Sequence, residues 1–336
     1  MILVTGGSGL LGSYLLLSLL KQGNKVRALA TQQKSIHKTL QIFKLFQAEH
    51  LFEQIEWHYG NITDTEFIFD LLDGVDFVYH CAAVVSFSPT QVEQMNMVNA
   101  VGTETLVNGC LERSVKKLCH VSSVAALGSN GTDEVNEETY FLYHPNNTAY
   151  GISKYNAERE VWRAVAEGLE VVIVNPSIIL GCGDWNEGSS AMFKTAYKGL
   201  KYYSNGITGF VDVRDVAEIM IQLMNSSIKN ERFIVCAENL PYRQVFDMMH
   251  DCFGQPHSSI NASRTLASII WRLEKLRSMI SGKLPMITRE SVNAAFRQVY
   301  YANNKLIKAL NYKFIPIEQS IKTHCSLFIK SRSGEV

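Results

Sequence analysis

Tyr150, Gly151, Ile152, Ser153 and Lys154 open a stretch that reads as a helix to about Glu167. A phenol and an amine four residues apart lie on one helix face. A free tyrosine titrates near ~10 and is a poor base at neutral pH. An ammonium beside it favours the phenolate and lowers that value. Such a pair can give a proton to a carbonyl oxygen or take one from an alcohol. Ser123, just past the apolar run Lys117 to Ser122, places a hydroxyl where it could polarise the same oxygen. The catalytic candidates are therefore Ser123, Tyr150 and Lys154. This chemistry needs a two-electron carrier and a scaffold that brings it to the phenol.

The first twelve residues supply both. Met1 to Val4 is apolar, as a buried parallel strand requires. Gly6, Gly9 and Gly12 follow, and then the apolar helical stretch Leu10 to Leu20. Strand, glycine turn and helix in that order form a dinucleotide-binding fingerprint. Gly6 permits the turn, Gly9 lets a pyrophosphate approach the backbone, and Gly12 lets helix and sheet pack closely. Leu10 and Leu11 stand at the helix N-terminus, whose free N–H groups favour phosphate.

Further apolar runs predict strands at Lys25 to Ala30, Ile55 to Tyr59, Asp76 to Ala83, Lys117 to Ser122, Glu170 to Asn175 and Arg232 to Cys236. Their carboxyl ends give the remaining cofactor candidates: Asn61 and Ile62, Ala82 and Ala83, Ser122, and Pro176, Ser177 and Ile178. Asn99 joins them from a long helix pattern, Pro89 to Glu112. Ala30, Thr31 and Gln32 end the second strand without an acid, and Lys34, His37 and Lys38 follow. That pattern leans to NADP and leaves NAD open.

Composition narrows the class. The 336 residues are 46% hydrophobic and 19% charged, with 32 basic and 32 acidic side chains. A balanced charge marks the whole chain for neither nucleic acid nor an anionic membrane. The seven cysteines are scattered, with no metal or disulfide spacing. No apolar run is long enough for a membrane span. A strand at residue 1 is not a signal peptide, so the expected location is the cytoplasm. His80 reads as a core histidine, and the tail from Lys330 to Val336 as loose.

The alternation predicts an α/β fold, a Rossmann-type doubly wound parallel sheet with a smaller, mostly helical C-terminal substrate domain. Residues 1–180 and 209–238 form the first part, 181–208 and 239–330 the second. Val84 to Ser88, Trp185 to Tyr203 and part of the C-terminal helices are expected to line the substrate pocket. Phe87, Trp185, Phe193, Tyr197, Tyr202 and Tyr203 there hint at an apolar or ring-shaped ligand. Arg264 to Ser281 is amphipathic, with Leu266, Ile269, Ile270, Leu273, Leu276 and Ile280 at helical spacing. It reads as a helix packed on the small domain, a lid, or a membrane-surface helix.

With these residues placed, the chain resembles the extended short-chain dehydrogenase/reductases, also called NAD-dependent epimerase/dehydratases. The likeness rests on Thr5-Gly6-x-x-Gly9-x-x-Gly12, Gly60-Asn61-Ile62, His80-Cys81-Ala82-Ala83, Asn99-x-x-Gly102-Thr103, Ser122-Ser123, Tyr150-x-x-x-Lys154, Asn175-Pro176-Ser177 and Phe210-Val211-Asp212-Val213-Arg214-Asp215. It implies a Ser123–Tyr150–Lys154 catalytic set and a homodimer through two long helices. Asn175 to Gly181 looks more like the dihydroflavonol-reductase and hydroxysteroid-dehydrogenase branch than the nucleotide-sugar branch. The resulting expectation is an oxidoreductase moving a hydride between NAD(P) and the carbonyl or alcohol of a small organic molecule. A nucleotide-sugar epimerase is the alternative.

Overall fold

The computed structural model describes residues 1–128, 134–144, 147–281 and 288–333. Its centre is a seven-stranded parallel sheet: β1 (Ile2–Thr5), β2 (Val26–Ala30), β3 (Glu56–Tyr59), β4 (Phe77–His80), β5 (Lys117–Val121), β6 (Glu170–Pro176) and β7 (Glu231–Val235). The order is β7-β6-β5-β4-β1-β2-β3. The chain therefore winds outward in both directions from β1, and the strand order reverses between β1 and β4. Open α/β sheets bind ligands in the crevice above such a point.

Helices cover both faces. Leu10–Lys21 and Val213–Asn225 pack together on one side, over Val4, Ala28, Val172 and Val174. Thr65–Leu71, Gly102–Glu112 and Ala149–Ala166 lie on the other, over Leu3, Val78, Leu118 and Ile173. Adjacent strand residues thus point into different cores, and both kinds are apolar because neither face meets water. The long helix pattern is not one regular helix. It runs as Val92–Met95, a π-helical segment Asn96–Val101, and Gly102–Glu112. π-segments inside helices occur frequently at functional sites, and this one carries Asn99.

The expected second part contains sheet as well as helix. Ile178–Leu180 pairs with Ile207–Asp212, which pairs in turn with Glu238–Pro241. Phe210, read in sequence as a return to the main core, instead lies in this smaller sheet. It packs with Leu180, Phe193, Val245, Met249, Ile321 and Phe328. Ile317–Ser333 is a helix whose Cys325 and Phe328 are buried there, so the tail is ordered to Ser333 rather than loose from Lys330. Residues 334–336 lie outside the described residues.

The two parts are joined by buried charge. Asp212 caps Val213–Asn225 by accepting from Arg214 N, and its carboxylate also takes Arg214 Nη2 at 2.6 Å and His324 Nε2 at 3.1 Å. These donors hold its pKa down against the cost of burial.

Candidate active site

A cavity of about 2000 Å³ opens above the strand-order reversal. Gly6, Gly9, Leu10, Leu11, Gly12, Asn61, Ile62, Ala82, Ala83, Ser122, Ser123, Tyr150, Lys154, Pro176, Ser177 and Ile178 all line it. Sixteen residues chosen from sequence thus meet on one wall. Asn99 does not. It is buried behind the wall, where its amide donates to Val84 O at 2.9 Å and Ser153 Oγ at 2.9 Å and accepts from Val84 N at 2.7 Å. It braces the loop after β4 against the helix that carries Tyr150.

The glycine turn fits a dinucleotide. Gly6 has φ +69°, and a Cβ there would meet Ala82 N at 2.6 Å. A Cβ on Gly12 would meet Gly6 O at 2.2 Å. Neither position accepts a side chain, so bare backbone and the N-terminus of Leu10–Lys21 face the cavity. At the adenosine end, Asn61 accepts from Thr63 N at 3.1 Å, which leaves its amide N–H groups for a ligand.

The lysines behind the NADP reading behave differently. Lys34 is not on the wall. Lys38 is, but its ammonium reaches across to Glu187 at 2.5 Å and Asp184 at 3.2 Å. This ion pair clasps the segment after β2 to the substrate part.

The candidate trio of Ser123, Tyr150 and Lys154 lines the cavity together. Thr148 caps Ala149–Ala166 by accepting from Gly151 N, which fixes the turn carrying Tyr150. Ser123 accepts from Ala125 N at 3.1 Å and is hydrogen-bonded to the Tyr150 hydroxyl. Lys154, 2% exposed, donates from Nζ to Val121 O at 2.7 Å. Burial pushes this amine down to about 8, while Glu158 and Cys81 pull the other way. The Tyr150 phenol lies above its ordinary value because it is buried, and the Ser123 bond offsets part of that. This is opposite to the direction expected from a neighbouring ammonium. Desolvation sets the direction, and the amine donates to the Val121 carbonyl instead.

One residue organises the trio from behind. Glu158, four residues beyond Lys154, is 2% exposed. Its carboxylate accepts from Ser122 Oγ at 2.7 Å, Asn175 Nδ2 at 3.0 Å, Arg232 Nη1 at 2.9 Å and Trp162 Nε1 at 3.3 Å. Asn175 Nδ2 also donates to Ser123 O at 3.0 Å. Sequence reading passed over Glu158, although the Lys154-to-Glu158 spacing on one helix face was visible. His80 is the core residue expected, bonded to Thr5 Oγ1 at 2.7 Å and Thr103 Oγ1 at 2.8 Å.

The substrate half departs most from expectation. Val84, Val85, Ser86, Phe87 and Ser88 line it as foreseen. Of the six aromatic candidates only Phe87 does. Trp185 packs on Phe193 and Phe328, and Tyr197 on Phe253 and Phe328. Tyr202 is exposed, and Tyr203 lies under the Arg243 guanidinium. Apolar contact with the second core claims or diverts these rings. Tyr242, Tyr301, Arg264, Arg289, Glu290 and Arg297 line the cavity instead. Glu290 accepts from Ala149 N at 3.4 Å through one carboxylate oxygen. The other is buried with no partner among the described residues, and burial raises the carboxyl pKa.

The model of the NAD dependent epimerase/dehydratase family matches residues 2–236. The chain belongs to that family. It is 31% identical to "Sterol demethylase protein B" of Methylococcus capsulatus over 76% of this chain and 75% of that one. It is 26% identical to a putative dihydroflavonol 4-reductase of Synechocystis over 95% and 91%, and to anthocyanidin reductase of Arabidopsis thaliana over 92% and 93%. The crystal structure of gox2253 superposes with a TM-score of 0.79 at 25% identity over 98% of both chains. A UDP-glucose 4-epimerase from Thermotoga maritima reaches the same TM-score at 18% identity over 98% and 99%, a likeness of fold. This chain is an NAD(P)-dependent oxidoreductase of the extended short-chain type. Among the described residues no helix is long and apolar enough to cross a membrane.

Proposed function

We propose that the chain reduces a carbonyl, or oxidises the corresponding alcohol, with Ser123, Tyr150 and Lys154 as its catalytic residues. The observation that carries this is the meeting of the Ser123–Tyr150 hydroxyl pair and the Lys154 amine on the wall built by the glycine turn. A bound nicotinamide dinucleotide supplies or accepts the two electrons. Tyr150 moves the proton at the substrate oxygen, and Ser123 holds that oxygen by a hydrogen bond. Lys154 lies one helical turn from Tyr150 and would grip the ribose and favour the phenolate as it forms. The orphan oxygen of Glu290 would accept a hydrogen bond from a hydroxyl elsewhere on the substrate.

On cofactor choice, Thr31 puts no carboxylate against a 2′-phosphate, which favours NADP. The Lys38 clasp works against it by occupying the nearby cation. Residues 1–180 and 209–238 would act as the dinucleotide part and 181–208 and 239–330 as the substrate part. Val92, Met97 and Val101 are exposed along the bent helix, which supports a homodimer through that face. The seven free thiols fit a reducing cytoplasm.

Arg264, Arg289 and Arg297 favour one second reading, a nucleotide-sugar epimerase whose diphosphate these cations would hold. The test begins with Tyr150→Phe. Turnover on a panel of aldehydes, ketones and alcohols should fall by about 10³-fold, an order expected for loss of a proton-transfer group. NADPH and NADH should still bind. Wild-type rates in this variant would remove Tyr150 from the chemistry. NAD retained through purification, with interconversion of UDP-sugars, would establish the epimerase.

A further inference from the structure

We infer that Cys252 and Cys325 form a reversible disulfide when the protein meets an oxidant of the peroxide class, and that this link fastens the last helix to the substrate part. The two thiols sit on helices that pack on each other, Tyr242–Phe253 and Ile317–Ser333, in the core around Phe193, Phe210 and Phe328. Their sulfurs are hydrogen-bonded to each other. Thiols already in contact need little backbone movement to reach disulfide geometry, the condition that most cysteine pairs fail. Cys81 and Cys119, another neighbouring pair, lie on adjacent strands two positions out of register.

The two positions are unequal, and this sets the order of events. Cys252 is half-buried, whereas Cys325 is 1% exposed. The Lys322 ammonium, which also pairs with Glu318 at 2.5 Å, lies within electrostatic reach of Cys252. A cation near a thiol favours the thiolate, the form that attacks. Burial, and then Cys252 itself, push the Cys325 thiol up. Cys252 is therefore the sulfur that meets the oxidant. Its thiolate attacks one oxygen of hydrogen peroxide, the O–O bond breaks, and the sulfur becomes a sulfenic acid as hydroxide leaves and is protonated to water. The Cys325 sulfur then attacks the sulfenic sulfur. The S–O bond breaks, the S–S bond forms, and the hydroxyl leaves with the Cys325 proton as a second water. Two thiols lose two electrons and one peroxide gains them. The step uses nothing from the dinucleotide and does not rest on the reaction assigned to the cavity.

The link would act through the last helix. His324, beside Cys325, donates from Nε2 to Asp212 at 3.1 Å and accepts from Cys182 N at 3.2 Å through Nδ1. Fastening Cys325 holds His324 against Asp212, so the oxidised chain should resist unfolding more than the reduced one.

The experiment exposes the full chain to a small excess of hydrogen peroxide, blocks remaining thiols with iodoacetamide, digests with trypsin without reductant and reads the peptides by mass. Residues 244–264 and 323–330, each with a single cysteine, should come off joined, two hydrogens lighter than their sum, and should part on adding dithiothreitol. Closing a loop of about 70 residues should raise Tm by about 5–10 °C, reversibly. Cys252→Ala should lose both the joined peptide and the gain in Tm, with a circular dichroism spectrum like that of wild type as the report of an intact fold. Recovery of both peptides separately alkylated, or of Cys252 as the sulfinic acid with Cys325 alkylated, overturns the inference. So does a link carried between two chains, seen as a doubled mass under denaturing conditions without reductant. A Tm unchanged by the link, or a gain that persists in Cys252→Ala, overturns the fastening.

Discussion

Glu158→Gln separates support of the fold from support of the chemistry. The glutamine keeps the shape and removes a charge that four donors share. Its best placement turns the carbonyl to Arg232 and Trp162 and the NH₂ to Ser122 and Asn175. Ser122 can rotate its hydroxyl and accept. The Asn175 amide cannot accept through its nitrogen, but its Oδ1 is buried without a partner. Flipping that amide satisfies Oδ1 and takes Nδ2 away from Ser123 O. The variant therefore loses the Arg232–Glu158 ion pair and the tether on Ser123 together.

Removing one partner of a buried pair costs about 3–5 kcal/mol. At about 2–4 °C per kcal/mol for a chain of this class, Tm should fall by roughly 6–20 °C. The pH profile carries the specific signature. Lys154 is pushed down to about 8 by burial, and Glu158 is the first group holding it up. If the ammonium is the working form, activity is present below about 8 and fades above it. Without Glu158 the alkaline limb should move lower by about one unit, the equivalent of ~1.4 kcal/mol. Stability shows the complementary sign. A lysine depressed in the folded state costs stability at neutral pH, and the cost is relieved as pH rises from about 8 toward its unfolded value near ~10.4. The assay is kcat against pH beside thermal unfolding, with Trp162→Phe as a control that removes only the 3.3 Å bond. A large Tm loss with the limb and kcat unmoved would reduce Glu158 to a structural strut.

Two further perturbations probe the ends of the cavity. Asp184→Asn/Glu187→Gln frees Lys38 from its clasp. The dissociation constant for NADPH should fall about fivefold relative to that for NADH, the ~1 kcal/mol scale of an exposed pair; an unchanged ratio in fluorescence titration would detach Lys38 from cofactor choice. Glu290→Gln keeps the bond from Ala149 N but changes what the orphan oxygen offers. KM for a hydroxyl-bearing substrate should rise about five- to thirtyfold, ~1–2 kcal/mol for one buried hydrogen bond, with dinucleotide binding unaltered; an equal loss of NADPH binding would show damage to the helix start instead.

What could be read from the sequence was what local physics dictates. A strand that must turn at once into a helix, with backbone touching backbone at Gly6 and Gly12, permits few residue types. So does a proton-transfer pair confined to one turn. These constraints are written in consecutive residues, and the structure brings them to one wall. Trp185, Phe193 and Tyr197 misled because an aromatic residue beside a ligand and one inside a core have the same composition. Only the docking of Ile317–Ser333, more than a hundred residues later, decides between them. Lys38 misled because its partners lie 146 and 149 residues away, and no spacing rule reaches that far. Asn99 was correctly placed near the site, but the π-segment turns its amide to the wall's rear. The short strands Ile178–Leu180 and Glu238–Pro241 gain their hydrogen bonds from Ile207–Asp212 and carry little periodicity of their own.

The two halves of the cavity are therefore held by different means, with consequences for how they respond to ligands. The half at the glycine turn is main chain against main chain, so a side chain added at Gly6 or Gly12 strikes backbone and cannot be relieved by a rotamer. The substrate half is side chains on Arg289–Ala295, a short helix held at its start by the reciprocal Thr288–Ser291 capping box. That helix meets Ala149–Ala166 at Glu290, whose carboxylate accepts the Ala149 N–H one residue before Tyr150. An N–H of a helix's first turn needs a partner from outside the helix. A substrate group that draws Glu290 toward itself must take that partner away or strengthen it. With Glu290 meeting the substrate as proposed, that contact would also act on the turn that carries the phenol, and selectivity and turnover would be coupled through a single carboxylate.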